Sequence, residues 1–172
     1  MPISGRLLVK KPSHILVADD KNETRDLLSQ LLENDYLITL AADGSEAIAC
    51  IERERPDLLI LDLMMPRVDG FAVLKYLAAH RDPFLPVIVR SAVTQRASRL
   101  KALTMGAHEF LGSPFDEEEL RVRIETMLAL REARKTAERR ASELEKTVTE
   151  RPHLFRSRLQ VKASGFDACN VD

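Results

Sequence analysis

Almost no net charge remains in this sequence: 26 lysines and arginines stand against 27 aspartates and glutamates, a balance of −1. Such a chain has no overall field to draw it to nucleic acid or to a charged membrane surface. Cysteine is scarce as well. Cys50 and Cys169 are far apart and show no metal-ligand spacing, and Cys50 reads as a small buried residue of a helix. Two such thiols suit a reducing compartment. Long apolar runs are also missing. The N-terminal residues include Arg and Lys but neither a signal-peptide core nor a membrane span, so a cytoplasmic protein is expected. What is there is ordinary for a soluble protein: 45% hydrophobic and 31% charged residues over 172 positions, enough for one domain and an appendage.

Residues 1–13 read as a loose leader ending at Lys10-Lys11-Pro12. Beyond it, strand and helix signals alternate at short spacing. Apolar runs at 14–18, 37–41, 58–61, 87–91 and 109–111 are strand candidates, with helices expected near 23–34, 45–54, 70–80 and 95–105 and a fifth from Asp116. Asn22, Gly44-Ser45 and Thr94 punctuate the starts of helices one, two and four, and Pro56, Pro86 and Pro114 fall in connections. Five strands alternating with five helices predict an α/β, doubly wound parallel sheet.

Carboxylates end two of these strands. His-Ile-Leu-Val-Ala at 14–18 runs into Asp19 and Asp20, and Leu-Leu-Ile-Leu at 58–61 runs into Asp62. Ligand sites of open α/β sheets lie outside the carboxyl ends of the strands, so three carboxylates would share one pocket there. Close carboxylates repel unless a cation sits among them, and Mg²⁺ favours such hard oxygen ligands. A phosphate-binding flavin site is disfavoured, because Asp19-Asp20 stands where a Ser/Thr/Gly-rich loop is needed. A dehalogenase-type phosphatase is also disfavoured, because its Asp-x-Asp pair lacks the spacer here.

The run Asp62-Leu63-Met64-Met65-Pro66-Arg67-Val68-Asp69-Gly70, with Asp19-Asp20 before it, resembles the receiver domain of bacterial two-component response regulators. The resemblance covers about residues 13–130. It implies a flavodoxin-like fold with strand order 2-1-3-4-5, a signalling domain rather than an enzyme beyond its own phosphotransfer and dephosphorylation, and a sensor histidine kinase as phosphodonor. It further implies Asp62 as phosphoacceptor, with Asp20 binding Mg²⁺ directly, Asp19 largely through water, and Asp62 and the Met64 carbonyl completing the set. Ser91 matches the hydroxyl switch and Phe110 the aromatic switch, although a Phe on a short strand is as readily core. Met64 and Val93, two positions beyond acceptor and hydroxyl, cannot orient an attacking water well, so slow dephosphorylation is expected.

One family feature is absent. Where the fifth strand should end in Lys-Pro-Phe, this chain has Ser113-Pro114-Phe115, so Ser113 replaces the lysine that pairs with the acceptor carboxylate. The alternative reading follows from it: a degenerate receiver that works through protein contacts without phosphate. Arg90, just before the switch hydroxyl, is a second oddity on an apolar strand. It either snorkels to the surface beside the fourth helix or reaches toward Asp62 in place of the lysine.

The stretch 116–151 holds neither Gly nor Pro, and Met127, Leu130, Arg134, Ala137, Ala141, Leu144 and Val148 alternate spacings of three and four. This is a heptad seam with one polar member, read as the fifth helix passing from the sheet to a second copy of itself. The receiver is thus set at 14–130, with 131–151 a coiled-coil-like stalk toward an output module that these residues do not contain. A solvated single helix is the alternative. No helix-turn-helix pattern follows the receiver, so no direct nucleic-acid partner is expected. Pro152 ends the helix, and 152–172 reads as an irregular tail, native or appended.

Overall fold

The structure, a computed structural model, describes residues 11–80, 84–91 and 96–150. The expected five parallel strands are present: β1 (His14–Ala18), β2 (Leu37–Ala41), β3 (Leu58–Asp62), β4 (Val87–Ser91) and β5 (Glu109–Gly112). They form one sheet in the expected order β2-β1-β3-β4-β5. Between and after them run α1 (Asn22–Leu32), α2 (Gly44–Glu54), α3 (Gly70–Ala79), α4 (Arg96–Thr104) and α5 (Glu117–Glu150). The leader before Lys11, Thr94, Val93, Cys169 and the tail from 151 lie outside the described residues.

Residues 15–18 of β1, 58–61 of β3 and 87–89 of β4 are apolar because both sheet faces are covered there. Alternate residues point to opposite faces. Leu59, Leu61, Val87 and Val89 pack with Ala47 and Cys50 of α2, Val73 and Leu74 of α3 and Ala102 of α4. Ile15, Val17, Leu58, Ile60, Ile88 and Leu111 pack with Leu28 and Leu32 of α1 and Leu120, Ile124 and Met127 of α5. Cys50 is buried and unbridged, as its sequence context suggests.

Helix starts differ from the sequence reading by a residue. Asn22 is the first residue of α1, behind an uncapped Lys21, and Asp43 rather than Gly44-Ser45 caps α2. Asp43 Oδ1 accepts from the backbone N–H of Ser45 at 2.7 Å and of Glu46 at 2.9 Å, while Oδ2 accepts from Arg67 Nε at 2.9 Å. The Glu46 N–H and the Arg67 guanidinium hold its carboxyl below the usual range. Asp43→Ala is therefore expected to cost about 1–2 kcal/mol, an N-cap's worth. The wild-type advantage is complete above the ordinary value of 3.8 and is lost as pH falls through the depressed one. Urea melts of both proteins at neutral and strongly acid pH check this, and an equal gap at both would contradict it.

The chain divides after Arg131 into two compact units. In the first, α5 covers the sheet, and Arg131 pairs with Asp57 at 3.2 Å and donates to the Phe84 carbonyl at 2.8 Å. In the second, α5 continues as helix to Glu150, with Leu144 at 67% exposure and an Arg134–Glu138 ion pair one turn apart at 3.1 Å.

Candidate phosphoacceptor and metal site

Sequence alternation decides what the strand ends present. The β1 and β3 residues that face α1 and α5 are Ile15, Val17, Leu58 and Ile60, so the next positions on that side are Asp19 and Asp62. Strands β1 and β3 are adjacent, with Ala18 beside Leu61, so those two carboxylates come together at the carboxyl edge. Asp20 joins them. Carboxylate oxygens of Asp19, Asp20 and Asp62 all lie within 4.8 Å of one another. Asp19 and Asp62 are buried, at 1% and 6% exposure, and Asp20 is exposed.

Asp62 is the last residue of β3 itself. Burial foremost, and then the Asp19 charge, raise its pKa above the ordinary 3.8. The Arg90 charge and the backbone N–H groups of Met64 and Leu63 pull the other way. Asp19 is firmly placed: its Oδ1 accepts from the Lys21 N–H at 3.0 Å, and its carbonyl accepts from Arg25 at 2.6 Å.

The loop after β3 is pinned by close packing. The Gly70 N–H donates to the Leu63 carbonyl at 3.0 Å, and a Cβ on Gly70 would stand 2.3 Å from the Asp62 carbonyl oxygen and 2.8 Å from Leu63 Cα. Those contacts are backbone, so they cannot swing aside. Gly70→Ala is expected to destabilise the domain by about 1–3 kcal/mol. It should also displace the Asp62 backbone, and a thermal melt of the variant against wild type checks the loss of stability.

Snorkelling of Arg90 is not what occurs. The strand register sets Arg90 beside Asp62, and the side chain is 8% exposed, so it has no path to water along α4. Its Nη2 is ion-paired with Asp19 Oδ2, and its Nη1 donates to Ser113 Oγ at 3.1 Å. Ser113 is joined to Pro114 by a cis peptide. The Asp19–Arg90 pair escaped the sequence reading, which sent Arg90 either to the surface or toward Asp62.

The other expected site residues are placed as follows. Ser91 is buried at the end of β4, and Met64 is 62% exposed in the loop after Asp62. Phe110 packs in the layer of α2 to α4, with the Arg99 guanidinium 5.6 Å from its ring centroid. The Asp43–Arg67 contact, which ties α2 to the loop after β3, was not foreseen.

Comparison with known proteins agrees with this geometry. The family model described as response regulator receiver domain matches residues 15–125. Response regulator MprA of Mycobacterium leprae is 42% identical over 115 residues, 66% of this chain and 50% of that protein. Among solved structures, the receiver domain of Francisella response regulator 1452 is 31% identical at a TM-score of 0.63, covering 68% of this chain and 97% of that one. Vibrio cholerae chemotaxis protein CheY4 is 28% identical at a TM-score of 0.63, covering 67% and 98%. The fold and site define a signalling domain of two-component systems. This chain belongs to the response regulator receiver domain family. It spans about half the length of the curated relatives it matches.

Proposed function

We propose that this chain receives a phosphoryl group on Asp62 from a sensor histidine kinase in the cytoplasm. The observation that carries the reading is the cluster of Asp19, Asp20 and Asp62 with its oxygens within 4.8 Å, at the carboxyl ends of adjacent strands. An Asp62 carboxylate oxygen attacks phosphorus and the phosphorus–nitrogen bond to the donor histidine breaks. The nitrogen leaves with the electron pair, and an acyl phosphate remains on Asp62. The all-oxygen donor set fits Mg²⁺, and the burial of Asp62 beside the Asp19 charge supports a cation there. Asp20, Asp62 and the Met64 carbonyl would hold it, with Asp19 acting through water. When bound, Mg²⁺ supplies charge neutralisation for carboxylate and phosphoryl oxygen alike.

Ser91 serves as the hydroxyl switch and Phe110, buried at 9% exposure, as the aromatic one. The domain acts as a phosphoacceptor, not as an enzyme on external substrates. The exposed seam through Leu130 and Leu144 pairs α5 with a second copy and carries the signal toward an output module. Exposure of the protein to acetyl phosphate tests the reading: uptake of one phosphoryl group with Mg²⁺ and none with a chelator supports it. Asp20→Ala should raise the Mg²⁺ requirement at least tenfold. The degenerate-receiver alternative rests on Ser113 and predicts no uptake and no beryllofluoride binding.

A further inference from the structure

Arg90 is expensive where it stands. A buried guanidinium is tolerated when its charge and its donors are met. Its charge is met by Asp19, and one Nη1 hydrogen by Ser113 Oγ at 3.1 Å. Its Nε is buried without an acceptor among the described residues. The guanidinium carries five N–H donors in a planar fork that matches the oxygens of a phosphoryl group. It therefore has donors to spare beside a cluster of three carboxylates.

Its position is as specific as its donors. Arg90 is the register partner of Asp62, on the adjacent strand and the same side of the sheet. It also stands next to Ser113, the position at the end of β5 that a lysine would fill. A lysine at 113 would set a second cation against Nη1, whereas serine accepts from it. The two residues are matched: the short hydroxyl makes room for the guanidinium and holds one arm of it.

We infer that Arg90 is the cation of this pocket that binds a phosphoryl oxygen on Asp62, with Ser113 as its positioning residue. The positive charge that the family brings from the end of β5 is here delivered from β4. The inference rests on the reading of Asp62 as phosphoacceptor. It also gives the Asp19 pair a role: Asp19 holds the guanidinium ready until a second anion arrives.

The test uses the full chain with acetyl phosphate and Mg²⁺, beryllofluoride binding by ¹⁹F NMR, and Mg²⁺ binding by calorimetry. Arg90→Met should slow acyl-phosphate formation and weaken beryllofluoride binding by about tenfold or more, the worth of a hydrogen bond to a charged group. It should bind Mg²⁺ at least as tightly as wild type, because Asp19 is released from a competing cation. Misfolding would lose both ligands together, so opposite changes support the inference. Arg90→Met/Ser113→Lys, which returns the cation to β5, should regain most of the lost rate. Wild-type rate and beryllofluoride affinity in folded Arg90→Met would overturn the inference while leaving Asp62 as acceptor. A folded double variant as inert as Arg90→Met would overturn it too. If wild type takes up no phosphoryl group, the phosphoacceptor reading falls and the inference falls with it.

Discussion

Asp62→Asn is expected to abolish phosphoryl uptake and, at the same time, to raise the melting temperature of the metal-free protein at neutral pH. The first effect follows from chemistry: an amide is no nucleophile toward phosphorus. The second follows from the raised pKa. Burial and the Asp19 charge make the native state bind the Asp62 proton more tightly than the unfolded chain does. Below the ordinary value of 3.8 both states are protonated and the group contributes no pH dependence. As pH rises through the raised native value, the wild type loses stability that the asparagine variant keeps. The gap between the two melts should thus open with pH and then stay constant. Added Mg²⁺ should close it, since a ligand bound only by the native state stabilises by about 2.7 kcal/mol at a hundred times its Kd. Equal melting temperatures at neutral pH would show that Asp62 is not held ionised at a cost.

Asp19→Leu should be the most damaging single change to the fold. Asp19 is 1% and the Arg90 side chain 8% exposed, and removing one partner of a buried pair leaves an uncompensated charge. The expected loss is about 3–5 kcal/mol. Pairing it with Arg90→Leu removes the orphaned charge, so the double variant should be more stable than Asp19→Leu alone. Denaturant midpoints of the two singles and the double form the cycle that measures this. If Asp19→Leu and Asp19→Leu/Arg90→Leu melt together, the pair is not what the buried guanidinium depends on. Asp20→Ala, on an exposed side chain, should leave the midpoint nearly unchanged.

Much of this was legible from local pattern. Apolar runs marked the five strands, most clearly at residues 15–18 and 58–61, which are buried on both faces. Asp62 and Gly112 extend β3 and β5 by a residue, since hydrogen bonding rather than hydropathy sets a strand's end. The capping of α2 by Asp43 was missed because Asp, Gly and Ser adjoin and each is a plausible cap. The carboxylates could be grouped from the sequence because both follow strands in a fold whose ligands gather at strand ends. Arg90's partner could not. It depends on which strands are neighbours and in what register, and the pairing of Asp62 with Arg90 spans a helix and two loops. A charged residue on an apolar strand says only that a partner is required. The turn around Gly70 was visible as a turn, but the need for glycine comes from the Asp62 backbone behind it.

The most direct measurement is chemical mapping of the modified residue. After reaction with acetyl phosphate and Mg²⁺, borohydride reduces an aspartyl phosphate to homoserine, which peptide mass spectrometry locates. Homoserine at position 62 and nowhere else is the predicted result. Reduction products at Asp19 or Asp20, or none at all in protein that binds Mg²⁺, would contradict the assignment of Asp62 as the acceptor.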